Sequence, residues 1–410
     1  MGETQNSGGS VKTSPATWTA ELLLAQDAKA GAAAQCVSAA TAWPAVLALA
    51  IAWKVIPQLA ARLQKLGVRL DAENTWTLRR EFLKASGNSS LRASRTVAAI
   101  HELAQAGIRV VAFKGIAAMA LLYGGPKHRT IGDGDLLILR ADLARALACL
   151  ERKGLARKGT DTLHQYLSFV ENAPRFAGNQ AIAVYGEDGS EIDLHWQVAG
   201  SGLRVEELLD RSVSAELLGS QIPVVNAKDG FLLTVHHAIR EDLGIESICR
   251  DLLDARLWCE HMEGSRQLEE GMNRAVRAGS RVAALAVTSL LRGYDDTTAA
   301  ARAAELLRAE ASGAERRSAE RLIDLFHYQL GNGRLGKDVM FLVHLRPWRQ
   351  ILKGFGGDWA GYRRSMEAME DQLGEDHSLL KRISGFARSI PSQKALRMAR
   401  ALALVKYRGQ

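Results

Sequence analysis

The sequence predicts an α+β protein, a small mixed-sheet core embedded between N-terminal and C-terminal helical regions. Three observations carry this reading. Stretches on both sides of residues 95–200 place apolar residues at three- and four-residue spacing and stop on glycine. Between them lie two short runs, "IRVVAF" and "GDLLIL", too brief for helices and rich in buried-strand residues. Two alternating segments then flank the turn "GEDG", a hairpin signal.

Taken in order, residues 1–15 are polar and rich in Gly and Ser, a disordered tail. Residues 16–94 read as helical: "WPAVLALAIAWKVIPQLAARLQKLG" closes on Gly67 and "NTWTLRREFLKASG" on Gly87, each with basic residues near its end. "SSLRASRTVAAIHELAQAG" then offers Ser89 or Ser90 as an N-cap and Gly107 as a stop. The core, 95–200, runs helix, strand, helix, strand, helix, hairpin. "IRVVAF" is its first strand, "KGIAAMALLYGG" a helix ended by Gly124 and Gly125, and "GDLLIL" the second strand. "RADLARALACLERKG" is a helix stopped by Gly154, and "QAIAVYGEDGSEIDLHWQV" is the hairpin. Over 201–410 helix returns and stays. It ends in the basic segments "RRSAERLIDLFHYQL", "KDVMFLVHLRPWRQILKGF" and "SQKALRMARALALVKYRG", whose charges read as solvated helix faces.

Bulk properties narrow the function. Apolar content of 47% with 24% charged residues fits a soluble globular enzyme and excludes a largely disordered chain. The net charge of +8 permits phosphate, nucleic-acid or acidic partners without dictating one. Cys36, Cys149, Cys249 and Cys259 lie far apart with no CxxC, which predicts reduced cytoplasmic thiols and no structural zinc. "AGAAAQCVSAATAWPAVLALAIAW" is interrupted by Pro44 and rich in small residues, so it predicts a buried helix and not a membrane span. No secretory signal is visible.

The chemistry concentrates in "RTIGDGDLLI", residues 129–138. Residues two apart in a strand point the same way, so Asp133 and Asp135 are expected on one face, close enough to repel. Left alone, one of them takes up a proton; a divalent cation lets both stay ionised, and Mg²⁺ prefers carboxylate oxygens. "EIDLHW" puts Asp193 on a strand of matching character, a third oxygen donor if the two strands are neighbours. Three carboxylates around two metals stabilise the attacking and leaving oxygens of phosphoryl and nucleotidyl transfer. In "VVAFKGIAAM" a strand ends in Lys-Gly and a helix begins: Gly115 admits a polyphosphate to the backbone, the helix start offers N–H groups, and Lys114 supplies a cation.

"RVVAFKGIAAMALLYGGPKHRTIGDGDLLIL", followed by "EIDLHW" and by "LLTVHHAIRE" and "RDLLDAR", resembles a family of bacterial nucleotidyltransferases of the polymerase-β-like fold over roughly residues 44 to 260. The resemblance implies two Mg²⁺ ions and an NTP. Asp133 and Asp135 are expected to hold both metals, and Asp193 to complete the catalytic one and assist deprotonation of the acceptor. Lys114 and Gly115 are expected to receive the triphosphate. Some members resemble accessory proteins encoded beside peptide natural-product or capsule genes, so the acceptor class is open: hydroxyl, phosphate or peptide side chain. Two departures stand out. Ile116 follows Gly115 where the fold usually has Gly or Ser, so a hydroxyl contact to phosphate is missing. Gly134 stands where an apolar residue is more common, an expected loosening of the strand.

Other residues keep two readings. Arg129 contacts phosphate or forms an ion pair with Asp133. His195 shares the Asp193 face, as a structural histidine or as a group orienting the acceptor. One of His236 and His237 is expected in the core. Asp251 and Asp254 share a helix face and are expected to cap or to pair with Arg250 and Arg256, without chemistry. Two alternative functions remain: a non-catalytic binding protein of the same fold, and a tRNA-modifying nucleotidyltransferase whose binding weakens steeply with salt.

Overall fold

The computed structural model describes residues 14–38, 42–157, 181–198, 203–240, 245–264 and 266–332. The expected tail up to residue 13 and the basic segments beyond residue 332 lie outside the described residues. Four short helices open the chain: α1 (Pro15–Leu24), α2 (Asp27–Ser38), α3 (Trp43–Ala52) and α4 (Ile56–Lys65). Ser14 caps α1 by accepting from Thr17 N at 3.2 Å. Pro57, in the first turn of α4, cannot continue the ladder of α3, so the chain breaks there and passes through Lys54 at φ 57.

Helix α5 (Ala72–Gln105) runs 34 residues without a stop. The break expected at Gly87 does not occur, and Ser89 is no N-cap. Ser89 is fully buried and its hydroxyl accepts from Ile131 N at 3.2 Å, while Ser86 donates to Lys127 O at 3.3 Å. Of the two cap candidates, Ser89 grips a loop 42 residues further on, and Ser90 donates to Ser86 O within the helix.

The sheet follows: β1 (Val110–Ala112), α6 (Lys114–Ala118) with a wide turn to Tyr123, β2 (Gly134–Ile138), α7 (Leu143–Glu151), and the hairpin β3 (Ala181–Tyr185) and β4 (Glu191–His195). After α8 (Val205–Asp210) come two further strands, β5 (Val213–Leu217) and β6 (Ser220–Val224). The six strands lie in the order β3-β4-β2-β1-β6-β5, with β2–β4 and β1–β6 parallel and the other pairs antiparallel. An α+β sheet core among helices is therefore present, but it extends past residue 200 into the region expected to be all helix. The missed hairpin turns at Leu218 (φ 55) and Gly219 (φ 76). Positive φ at both central positions normally selects Asn-Gly, and a leucine there hides the turn from the sequence.

The remaining described helices are α9 (Ala227–Arg240), α10 (Ile245–Met262), α11 (Gln267–Arg277), α12 (Arg281–Tyr294), α13 (Ala299–Glu310) and α14 (Gly313–Asn332). α5 packs on β1, β2 and β6, while α9 packs on α6 and α10, which ties the helices to the sheet. Among the described residues no helix is long and apolar enough to cross a membrane.

Gly134 is buried in β2, and the strand is not loosened there. A Cβ built on Gly134 comes within 2.1 Å of Thr96 Oγ1 and 3.0 Å of Thr96 Cβ, so α5 reaches the sheet where a side chain is missing. Gly134→Ala is expected to destabilise the fold by about 1–3 kcal/mol through overpacking. Thr96→Ala in the same chain should recover part of the loss, since it removes the nearest atoms; urea unfolding of the single and double variants checks this.

Candidate functional site

The loop carrying "RTIGD" is held from α5. Besides the two serine contacts, Arg92 NH1 donates to Ile131 O at 3.3 Å, and Ile131 is buried. β2 therefore starts at a fixed place, with Asp133 half-buried just ahead of it and Asp135 buried within it. Parallel pairing sets Asp135 directly opposite Asp193 and Leu137 opposite His195. Paired residues of parallel strands and residues two apart share a face, so Asp135, Asp193 and His195 converge. One ligand atom from each lies within 4.8 Å of the others.

The resulting charge is redistributed in a definite way. Lys114 Nζ donates to Asp135 Oδ1 at 2.7 Å, from a backbone with φ 47 that residues bearing a Cβ rarely adopt. His195 Nε2 lies 3.0 Å from the same oxygen, its ring edge-on to Phe113 at 4.9 Å. Burial pushes the Asp135 carboxyl up, but Lys114 and the His195 hydrogen bond override this and hold it well below the usual carboxylate range. Burial also lowers His195, against the pull of Asp135. A neutral imidazole beside an ionised carboxylate that can only accept is the Nε2–H tautomer. Asp193 moves the other way: burial first, then Asp135 and Asp133, push it up to about 7. Asp133 is raised by burial and by Asp135.

Around this face the other expected residues take partners that the sequence did not indicate. Arg129 is buried and paired with Asp254, not with Asp133: Nε donates to both Asp254 oxygens at 3.1 and 3.0 Å, and NH2 to Oδ2 at 2.5 Å. Tyr123 OH donates to Asp254 Oδ1 at 2.8 Å. Asp254 was expected to pair with a neighbour on its own helix; the tertiary partner wins because it is buried and bidentate. Asp251 likewise turns to His237, 2.8 Å away, and neither His236 nor His237 is a fully buried core residue. Gly115 touches Ile131 and Arg129 so closely that a Cβ meets Ile131 Cγ2 at 2.6 Å and Arg129 NH1 at 2.7 Å. Packing alone therefore demands glycine at 115, whatever else the position does.

Lys114, Gly115, Arg129, Asp133 and Asp135 line one cavity; Asp193 lies on the far side of Asp135 and is not among its walls. Arg250, Asp251 and Asp254, read from the sequence as pairing residues without chemistry, line it too, as does Lys54, which the sequence reading did not single out. The i, i+3 spacing of Asp251 and Asp254 was the signal for their common face. Two carboxylates and an imidazole are a donor set that fits a divalent cation. A sequence profile of an uncharacterised nucleotidyltransferase family matches residues 39–294, from just before α3 to the end of α12. No curated protein matches the chain.

Two outcomes follow from the charge distribution. A carboxyl whose folded pKa is raised keeps a proton that the unfolded chain has already released, so stability is full below about pH 4 and declines as pH rises through about 7. Metal-free protein should show this decline in Tm, Asp193→Asn should flatten it, and an unchanged slope in the variant places the titration elsewhere. Asp133 and Asp135 also part company. Asparagine at 133 relieves repulsion and should leave Tm unchanged or higher without metal. Asparagine at 135 strips Lys114 of its counter-charge and should cost about 1–3 kcal/mol.

Proposed function

The chain belongs to this uncharacterised nucleotidyltransferase family, and from that premise we propose that it moves NMP from an NTP to an acceptor with Mg²⁺ as cofactor. The observation that supports this most is the strand register that sets Asp135 opposite Asp193 with His195 in ligand reach. Asp133, Asp135 and Asp193 are the residues we assign to two Mg²⁺ ions, with His195 a further donor on the same face. When bound, the metal supplies charge neutralisation at the phosphates and at the attacking oxygen.

The chain's own groups do the rest. The acceptor oxygen bonds to the α-phosphorus, the bond from that phosphorus to the bridging oxygen breaks, and its electron pair leaves with pyrophosphate. Asp193, on the face of the attacking oxygen, takes up the acceptor's proton. His195 holds Asp135 in its rotamer by donating Nε2–H. Lys114 exchanges Asp135 for a phosphate oxygen, and Gly115 leaves the cavity wall without a side chain. Arg129, with donors on Asp254 and Thr130 O, holds the loop at the cavity wall.

The acceptor we favour is a small molecule, peptide or protein, in an accessory tailoring step of natural-product or capsule assembly, drawing on the family resemblance. The free cysteines, three of them buried, fit the reducing cytoplasm. One observation favours the rival reading of a non-catalytic binding protein: Lys114 already neutralises Asp135 without a metal.

Incubation with α- and γ-labelled NTPs and a cell extract separates these readings. Label from the α position should reach an acceptor. Asp193→Ala should keep nucleotide affinity while losing about 10²–10⁴-fold in transfer. Label from the γ position identifies a kinase, and no binding of any NTP leaves the binding protein.

A further inference from the structure

Beside Gly132 and Asp133 lies the cavity of about 110 Å³. Ligand pockets for drug-sized molecules hold roughly 300–1,000 Å³, so this one takes a small charged group and not a nucleoside. Three of its four acids are partnered: Asp135 with Lys114, Asp254 with Arg129, Asp251 with His237. The fourth, Asp133, acts on Lys54, and the remaining cations are Lys54 and Arg250. Arg250, on α10, has a buried Nε without a hydrogen-bond partner, and its ion pair with Asp251 is a loose 3.9 Å.

Lys54 enters from the opposite side, from the link between α3 and α4. Its ammonium hangs over Gly132, where a Cβ comes within 2.7 Å of Nζ. Desolvation, then Arg250, push its pKa down, with Arg92 and Arg129 adding less than the opposing pull of Asp133. The wall carries four cations and four carboxylates, so once Asp133 and Asp135 take a metal the cations outnumber the acids left to them and the half-enclosed space becomes an anion site.

We propose that Lys54 and Arg250, with Lys114, bind the phosphate chain of the nucleotide and hold the pyrophosphate portion that leaves. The proposal rests on the nucleotidyltransferase reading. Contiguity with Asp133 and Asp135 directs it to a polyphosphate: the phosphates run from the carboxylate face into the cavity, where Lys54 and Arg250 stand to meet them. Two cations from outside the 95–200 core then do the work of the hydroxyl that Ile116 lacks.

Calorimetric titration of pyrophosphate, each NTP and each NMP, with Mg²⁺ at constant ionic strength, tests this on the full chain. The variants are Lys54→Asn, which tolerates the left-handed backbone, and Arg250→Gln, with Lys29→Gln as a surface control and Tm as the check on folding. Each test variant should lose about tenfold or more in affinity for pyrophosphate and NTP, as for one charge-assisted hydrogen bond, with NMP binding and Tm unchanged. Unchanged pyrophosphate and NTP affinity in both variants overturns the site and leaves nucleotidyl transfer standing. Pyrophosphate bound through Lys54 and Arg250 with no NTP bound keeps the anion site and removes the nucleotidyltransferase reading. An equal loss for NMP moves the site to the α-phosphate and overturns the assignment to the leaving group.

Discussion

The parallel pairing of β2 and β4 forces two carboxylates, Asp135 and Asp193, to face each other at the sheet surface, and the surrounding structure answers that repulsion. Lys114 accepts a left-handed backbone to bring its ammonium to Asp135. His195 stays neutral and donates to the same oxygen. Asp193 holds its proton to an unusually high pH, and Asp133 follows in the same direction at the rim. A divalent cation relieves the same repulsion, so the groups that stabilise the metal-free protein are those a metal rearranges.

Helix α5 gives this face its position. Ser86, Ser89, Arg92 and Thr96 succeed one another at three- or four-residue spacing, hence on one side of the helix. They hold Lys127 O, Ile131 on both its polar backbone groups, and the open flank of Gly134. A helix stopped at Gly87 would carry only part of this row. Continuity through a glycine is a local weakness, offset by the burial and hydrogen bonding on either side.

The helices on both sides of the sheet are parts of the site. Arg129 and Tyr123 bind Asp254 on α10, and His237 on α9 binds Asp251, so the loop ahead of β2 is tied to helices more than a hundred residues further along the chain. A buried bidentate pair of this kind adds little net stability when intact but is expensive to break from one side, which favours a single docking of α10 on the loop. The family match over residues 39–294 covers the same span.

Much of this was legible in the sequence where the relevant forces are local. The strands "IRVVAF" and "GDLLIL", the "GEDG" hairpin and the stops at Gly107 and Gly124 follow from side-chain alternation and backbone freedom within a few residues. The β5–β6 hairpin was hidden by leucine at a positive φ, and Ser89 of α5 looked like a cap because the donor it meets, Ile131 N, is 42 residues away. The sequence by itself determined which groups are present: two carboxylates on strands and a third just ahead of one, a lysine at a strand end and a glycine beside it. Only the tertiary structure decided which charges meet. Lys114 takes Asp135 across 21 positions, His195 takes it across 60, and Arg129 takes Asp254 across 125. Hydrogen bonds form only within about 3 Å, and that proximity is created by strand order and helix docking, which local spacing does not encode.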